Sequence, residues 1–132
     1  MTNITLTLPW PSADLSPNAR VHHFTRHRAA KSAKNYAFNM ALSLMGPLGI
    51  RNGTWRGPIQ VDLSFHPSAD RRFDLDNALA REKARLDGVA LALGVDDSTF
   101  TFRLSRGEKR NPPCVVMTLT PASVDVPFRG AI

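Results

Sequence analysis

The chain has 132 residues, of which 42% are hydrophobic and 21% charged, and a net charge of +6 with an isoelectric point near 10.4. That is the length of one domain, with enough apolar side chain to bury a single core, so a folded globular protein over 1–132 is expected and a disordered one is excluded. No apolar run approaches the roughly 18–20 residues of a membrane span, so no membrane partner is expected.

The opening MTNITLTLPW has neither a basic leader nor a long apolar segment, and no signal peptide is expected. Within it Ile4, Leu6 and Leu8 alternate with Thr5 and Thr7, the period of a half-buried strand, which Pro9-Trp10-Pro11 ends. A polar loop then runs through Pro17 and Asn18. From about Arg28 to Met45, Ala33, Tyr36, Ala37, Met40 and Leu44 recur at helical spacing, and Gly46-Pro47 predicts the stop. Residues 46–58 read as a loop. Ile59, Val61, Leu63 and Phe65 then make the clearest strand, ended by Pro67.

A second helix is predicted from about Asp76 to Leu93. Leu75, Leu79, Leu86, Ala90 and Leu93 form its buried stripe, and Gly94 suits the left-handed position that closes it. Phe100, Phe102 and Leu104 alternate as a third strand. Residues 106–113 read as a basic loop, Cys114–Leu119 as a fourth strand, and about 122–132 as a loosely structured tail. The order β-α-β-α-β-β predicts an α+β domain, with a mixed sheet of about four strands and two main helices. Cys114 is the one cysteine and lies beside an apolar run, so it is expected to be a buried structural thiol in a reducing compartment, the cytoplasm.

Charge is placed unevenly. Between Asp14 and Asp62 there is no acid but there are seven cations, while eight of the eleven acids fall from Asp62 to Asp97. A basic protein with one acidic island suggests a polyanionic partner and a local need for carboxylates. A solvated basic surface without a partner has the same composition.

The acidic island centres on RRFDLDNALAREKARLDGVALALGVDDS, residues 71–98. Asp74, Asp76 and Asn77 lie where the chain enters the second helix, and Asp96 and Asp97 lie just past its closing glycine. A helix of about 18 residues is roughly 27 Å long. Its ends therefore share a site only if the chain after Gly94 folds back along it, or the loop before Asp76 reaches over. Gathered carboxylates repel unless a cation sits among them, and Mg²⁺, a hard ion that keeps several waters, suits two or three such oxygens. Such an ion activates water and neutralises a leaving oxygen. Plainer duties exist: one of Asp74 and Asp76 as a helix cap, and Asp96-Asp97 as a turn. Lys83 is nearly two turns beyond Asp76 on the same helix face and leans back toward it. It could equally lay its stem on the core edge and send its charge to water.

In chain order, LTLPWP, a basic stretch with a helix behind it, RRFDLDN, KARLDG and LGVDDS followed by a strand resemble the RusA family of Holliday junction resolvases, common in phages and prophages. The likeness covers nearly the whole chain, and it is the ordered set that is specific. It implies that Asp74 and Asp76 are the two aspartates of D-x-D-N and that Asp97, or its neighbour Asp96, is the third metal ligand. It implies that Lys83 is the family lysine, through K-x-x-x-D-[AG]. It further implies a RusA-like fold and a homodimer that uses Mg²⁺, with Mn²⁺ as a substitute. That homodimer would nick a four-way DNA junction symmetrically, in recombination and repair in a bacterial or phage-infected cell. The chain departs from more familiar members in two places: Ala80 stands three residues after Asn77, where they carry the lysine, and Phe73 stands where an arginine is often found.

Binding to such a junction would rest on Lys and Arg and fall steeply with salt. The candidates are Arg20, Arg26, Arg28, Lys31 and Lys34 near the first helix, Arg71 and Arg72 beside D-L-D-N, and Arg106, Lys109 and Arg110 in the basic loop. His22, His23 and His27 lie among the first group, but without cysteines and with H-H-x₃-H spacing they do not match a structural zinc site. The competing reading is a non-catalytic basic DNA-binding protein that keeps the same fold, for which the acidic island would be costly beside phosphate. Phosphatases of the haloacid-dehalogenase type need D-x-D-x-[TV] after an apolar strand, and Ala78 and RRF break that pattern. The Gly-Ser helix start of nucleotidyltransferases and the closing Glu of an EF-hand are also missing.

Overall fold

Alternation and helical periodicity sort the chain into β1 (Ile4–Pro9), α1 (His23–Leu48), β2 (Trp55–His66), α2 (Leu75–Arg81), α3 (Lys83–Leu93), β3 (Phe100–Arg106) and β4 (Cys114–Val124). Short 3-10 turns lie at Ala13–Leu15 and Asp97–Thr99. The structure is a computed structural model and describes residues 3–70 and 72–125. The four strands form one sheet in the order β1-β4-β2-β3. β4 pairs antiparallel with both β1 and β2, whereas β3 runs parallel to β2. A parallel neighbour needs a crossover, and α2 with α3 supplies it. The protein is a single small α+β domain with a mixed sheet.

Every second residue is buried along β1, from Ile59 to Phe65 in β2 and from Val115 to Pro121 in β4. Leu6 and Leu63 both face Met117 across the ladder, and Val61 faces Leu119. These side chains join Ala37, Ala41 and Met45 of α1 and Leu86, Val89 and Leu93 of α3 in one core. The centre of the buried stripe on α1 is therefore the 37-41-45 row. Tyr36, expected within that stripe, is 48% exposed.

Local chemistry moves several element ends. α1 starts at His23 because His22 Nδ1 accepts from the Phe24 backbone N–H at 3.2 Å, and it runs through Gly46-Pro47. Pro47 lies in the last turn, where it forfeits one bond to the Ser43 carbonyl without stopping the helix, and Gly49 makes the closure instead. β2 begins at Trp55, and it offers a partner to residues past Leu119, so Trp55 pairs with Val124. Residues 122–124, expected in a loose tail, are thus strand; 126–132 lie outside the described residues.

The expected single helix from Asp76 to Leu93 is two helices. At Glu82 (φ −87°, ψ −5°) the backbone N–H turns to the Leu79 carbonyl, one residue short of the α-helical partner. The Glu82 side chain goes inward and is completely buried, with Arg85 beside it. Gly94 closes α3 at φ 70°, as its position predicts. Among the described residues no helix is long and apolar enough to cross a membrane. Cys114 is buried.

Candidate active site

The site is built on a close approach of two helices. A Cβ at Gly88 would lie 2.2 Å from the Lys34 carbonyl oxygen, so α3 meets the backbone of α1 directly there and only glycine fits. This contact sets α3 beside the α1 face that carries Lys31 and Lys34, and these two line a cavity with His27 and Asp87. At the other end of α3, Asn52 Nδ2 donates to the carbonyls of Leu91 and Ala92 at 3.2 and 3.0 Å, satisfying groups that a helix end leaves open.

Beyond Gly94 the chain folds back along α3. Asp96 accepts from the Ser98 backbone N–H at 2.9 Å and opens the 3-10 turn. Hydrogen bonds from Ser98 hold the Asp96 carboxyl below its ordinary range. Asp97 is then carried to the start of α3, where it lines a cavity of about 210 Å³ with Lys83, Leu79, Leu86, Phe100 and Phe102. Asp87, one turn along α3 from Lys83, belongs to the same polar group. Desolvation, then the hydrogen bond and charge of Asp97, push the Asp87 carboxyl up, against the pull of Lys34 and Lys83. The chain thus brings Lys83 and Asp97 together.

Asp74 stands elsewhere. It caps α2 by accepting from the Asp76 backbone N–H at 2.9 Å, and it lines a cavity of about 350 Å³ with Trp10, Arg72, Phe73, Asn77 and Arg81. Asn77 Oδ1 accepts from the Ser16 hydroxyl at 3.0 Å, tying the loop after β1 to α2. Arg106 reaches across from β3 to donate to the Phe73 carbonyl at 3.0 Å, and its guanidinium lies 5.5 Å from that ring's centre. Asp76 is exposed in the first turn of α2. Among the described residues no three His, Cys, Asp or Glu side chains stand close enough to hold one metal ion, so Asp74, Asp76 and Asp97 are not gathered. The expected common face for Asp76 and Lys83 presupposed an unbroken helix; with the break at Glu82, Lys83 is the first residue of α3.

The basic candidates divide by what already engages them. Arg20, Arg28, Lys31 and Lys34 are exposed. Arg26 instead donates to the carbonyls of Ser16 and Ala19 at 2.8 and 2.7 Å, fastening the loop that leads into α1. Arg106 is occupied at Phe73, while Arg72 faces the Asp74 cavity. Lys109 pairs with Asp70 at 3.1 Å and Arg110 with Glu108 at 3.6 Å. Such exposed pairs contribute ~0–1 kcal/mol, which a phosphate can displace. Arg71 lies outside the described residues. Sequence reasoning missed Asp87, Arg81 and Trp10. Asp87 had a visible signal, since it follows Lys83 by four residues on one helix face; Arg81 and Trp10 had none beyond their neighbours.

A protein of Xylella fastidiosa (strain Temecula1 / ATCC 700964), described as uncharacterized, is 46% identical to the chain over 123 residues, a match spanning 87% of the chain and 74% of the relative. No protein-family model matches the chain.

Proposed function

The chain belongs to the family of that Xylella fastidiosa protein, and we propose that it is a Mg²⁺-dependent endodeoxyribonuclease of the RusA type. In this reading a homodimer resolves four-way DNA junctions by paired symmetric nicks, in the cytoplasm of a bacterium or a phage-infected host. The observation that carries the proposal is the meeting of Lys83 and Asp97 in one cavity, beside Asp87 and next to the cationic face of α1. An ammonium set beside carboxylates, with cations around them, suits a phosphodiester better than a neutral substrate.

Three carboxylates are the donor type that Mg²⁺, or Mn²⁺ in its place, prefers. Their positions do not suit one ion: Asp97 faces the Lys83 cavity while Asp74 lines the one around Trp10. A divalent ion in such a reaction would supply an activated water and neutralise the leaving oxygen, but the described arrangement leaves these three carboxylates too dispersed to hold one together. The chain's own side chains act around that chemistry. The Lys83 ammonium pairs with a phosphate oxygen as negative charge grows on it. Arg72 and the exposed Arg20, Arg28, Lys31 and Lys34 hold neighbouring phosphates and give binding its salt dependence. Two copies of the chain account for two cuts.

The separation of Asp74 from Asp97 favours a second reading, a non-catalytic basic DNA-binding protein. A synthetic four-way junction incubated with and without Mg²⁺ separates the two. Paired symmetric nicks that vanish with chelator support the nuclease. Binding indifferent to chelator, with no product at any enzyme concentration, would establish the binder. Random cutting of linear duplex would replace both with a general nuclease.

A further inference from the structure

Trp10 is a wall common to two cavities. One is the Asp74 cavity; the other, of about 370 Å³, is lined by Tyr36, Ser12, Ser32 and Arg85 as well. Its size is at the lower end of small-ligand sites. Trp10 is held edge-on by Phe73 and Phe65, with ring centres 5.6 and 6.4 Å away, so its indole is a fixed platform. Tyr36 leaves the apolar stripe of α1 for this cavity, and the small Ala29 and Ala33 beside it keep the wall recessed.

Arg85 makes the cavity more than an apolar hollow. It is 5% exposed, and its Nη1 donates to both oxygens of the fully buried Glu82 carboxylate, each at 3.3 Å. Among the described residues its Nε and Nη2 meet no acceptor. That edge is not sealed from solvent, so water occupies it at the cavity wall until a ligand bearing acceptors takes its place. Glu82 takes Nη1 alone and leaves that edge open, and burial pushes its carboxyl up to about 7 against the pull of Arg85.

We infer that this cavity takes one unstacked nucleobase of the bound DNA, laid against Trp10 and Tyr36 with its acceptor edge toward Arg85. Guanine fits best, because its O6 and N7 match the two-donor edge of a guanidinium. Arg72 and Arg81, lining the adjoining cavity past Trp10, are placed to hold the flanking phosphates. Drawing a base out costs stacking and pairing, which the contacts with Trp10, Tyr36 and Arg85 would offset. The inference rests on the DNA-binding reading above and adds to it a base-reading subsite.

The test uses the full chain and four-way junctions carrying a single abasic site, walked through the nucleotides beside the crossover, with binding measured at fixed salt. At one position, strongest where the missing base is guanine, the wild-type protein should lose about tenfold in affinity, equivalent to ~1.4 kcal/mol. Ser32→Leu fills the cavity mouth from an exposed helix position. It should bind the intact junction about tenfold more weakly and show no further loss at that abasic position. Tyr36→Ala, which removes a stacking surface, should flatten the profile in the same way. A flat wild-type profile, or a Ser32→Leu profile identical to wild type, overturns the subsite and leaves the nuclease reading intact. Failure to bind any branched DNA overturns both.

Discussion

Asp74 and Asp96 each accept from the backbone N–H two residues on, at 2.9 Å in both cases, and so open α2 and the 3-10 turn that precedes β3. Asp76 and Asp97, beside them in sequence, stand exposed and cap nothing. There the two ends of the 74–97 segment part. Asp97 has Lys83 and Asp87 for neighbours, whereas Asp74 and the arginines near it face the Trp10 cavity. A cap fixes one carboxylate by its hydrogen bond, so an acidic pair lets the fold use one member while the other keeps its charge outward. Only one end joins that charge to a lysine.

Neutralising the outward carboxylate at each end has the largest expected effect. Asp97→Asn should lower junction nicking by more than about a hundredfold, beyond what loss of an outer partner of a metal site costs, and Asp76→Asn should do so only if a bound ion draws the two ends together. Junction binding should hold or tighten, since a charge that repels phosphate is gone. Gel assays of nicking and binding on one synthetic junction read both. If Asp97→Asn is inactive and Asp76→Asn cuts normally, the two ends do not share a reaction centre.

Between the ends lies Glu82, and its burial makes the joint between α2 and α3 sensitive to pH. Burial raises its folded pKa to about 7, above the ordinary 4.5, while Arg85 pulls the other way. The folded state therefore holds this proton more tightly than the unfolded chain does between those values. Stability should be highest below about pH 4.5 as far as this group is concerned, fall as pH climbs to about 7, and level off above it. The change is on the order of 3 kcal/mol. Urea unfolding of wild type and Glu82→Gln across that range isolates the effect, because the variant should lose this part of the slope. Parallel slopes would mean that Glu82 is ionised in the folded protein throughout.

The strands were legible because alternation is a local property. Ile59 to Phe65 and Ile4 to Leu8 show their faces without help from the rest of the chain, and Gly94 announces the end of α3. What was not legible depends on partners. AREKAR reads as solvated charge, and nothing local says that Glu82 and Arg85 turn inward and interrupt the helix. PASV has no alternation, and Pro121 to Val124 become strand because β2 starts at Trp55 and lies alongside. The site divides likewise. Its residue types were visible, but the return of the chain after Gly94 is a tertiary fact, as is the use of Arg26 on loop carbonyls. Gly88 could be seen but not weighed. Gly88→Ala puts a methyl against the Lys34 carbonyl and should cost about 1–3 kcal/mol in urea unfolding, while moving Lys34 away from Asp87. An unchanged midpoint would show that α1 and α3 separate easily.

The smallest expected effect discriminates most finely between the paired aspartates. Asp96→Asn keeps an oxygen able to accept from the Ser98 N–H, since asparagine caps about as well as aspartate. Both the unfolding midpoint and junction nicking should then stay near wild type. Asp96→Ala removes the acceptor, and the turn that carries Asp97 loses its anchor. Its midpoint should fall slightly, by less than that of Gly88→Ala, and nicking should drop only a few-fold because Asp97 is still present. The division of duty at this end therefore predicts that charge at position 96 is dispensable and that its hydrogen bond is not. Loss of nicking in Asp96→Asn with an unchanged midpoint would reverse the assignment: Asp96 would then carry the chemistry, and Asp97 would be the residue that only shapes the turn.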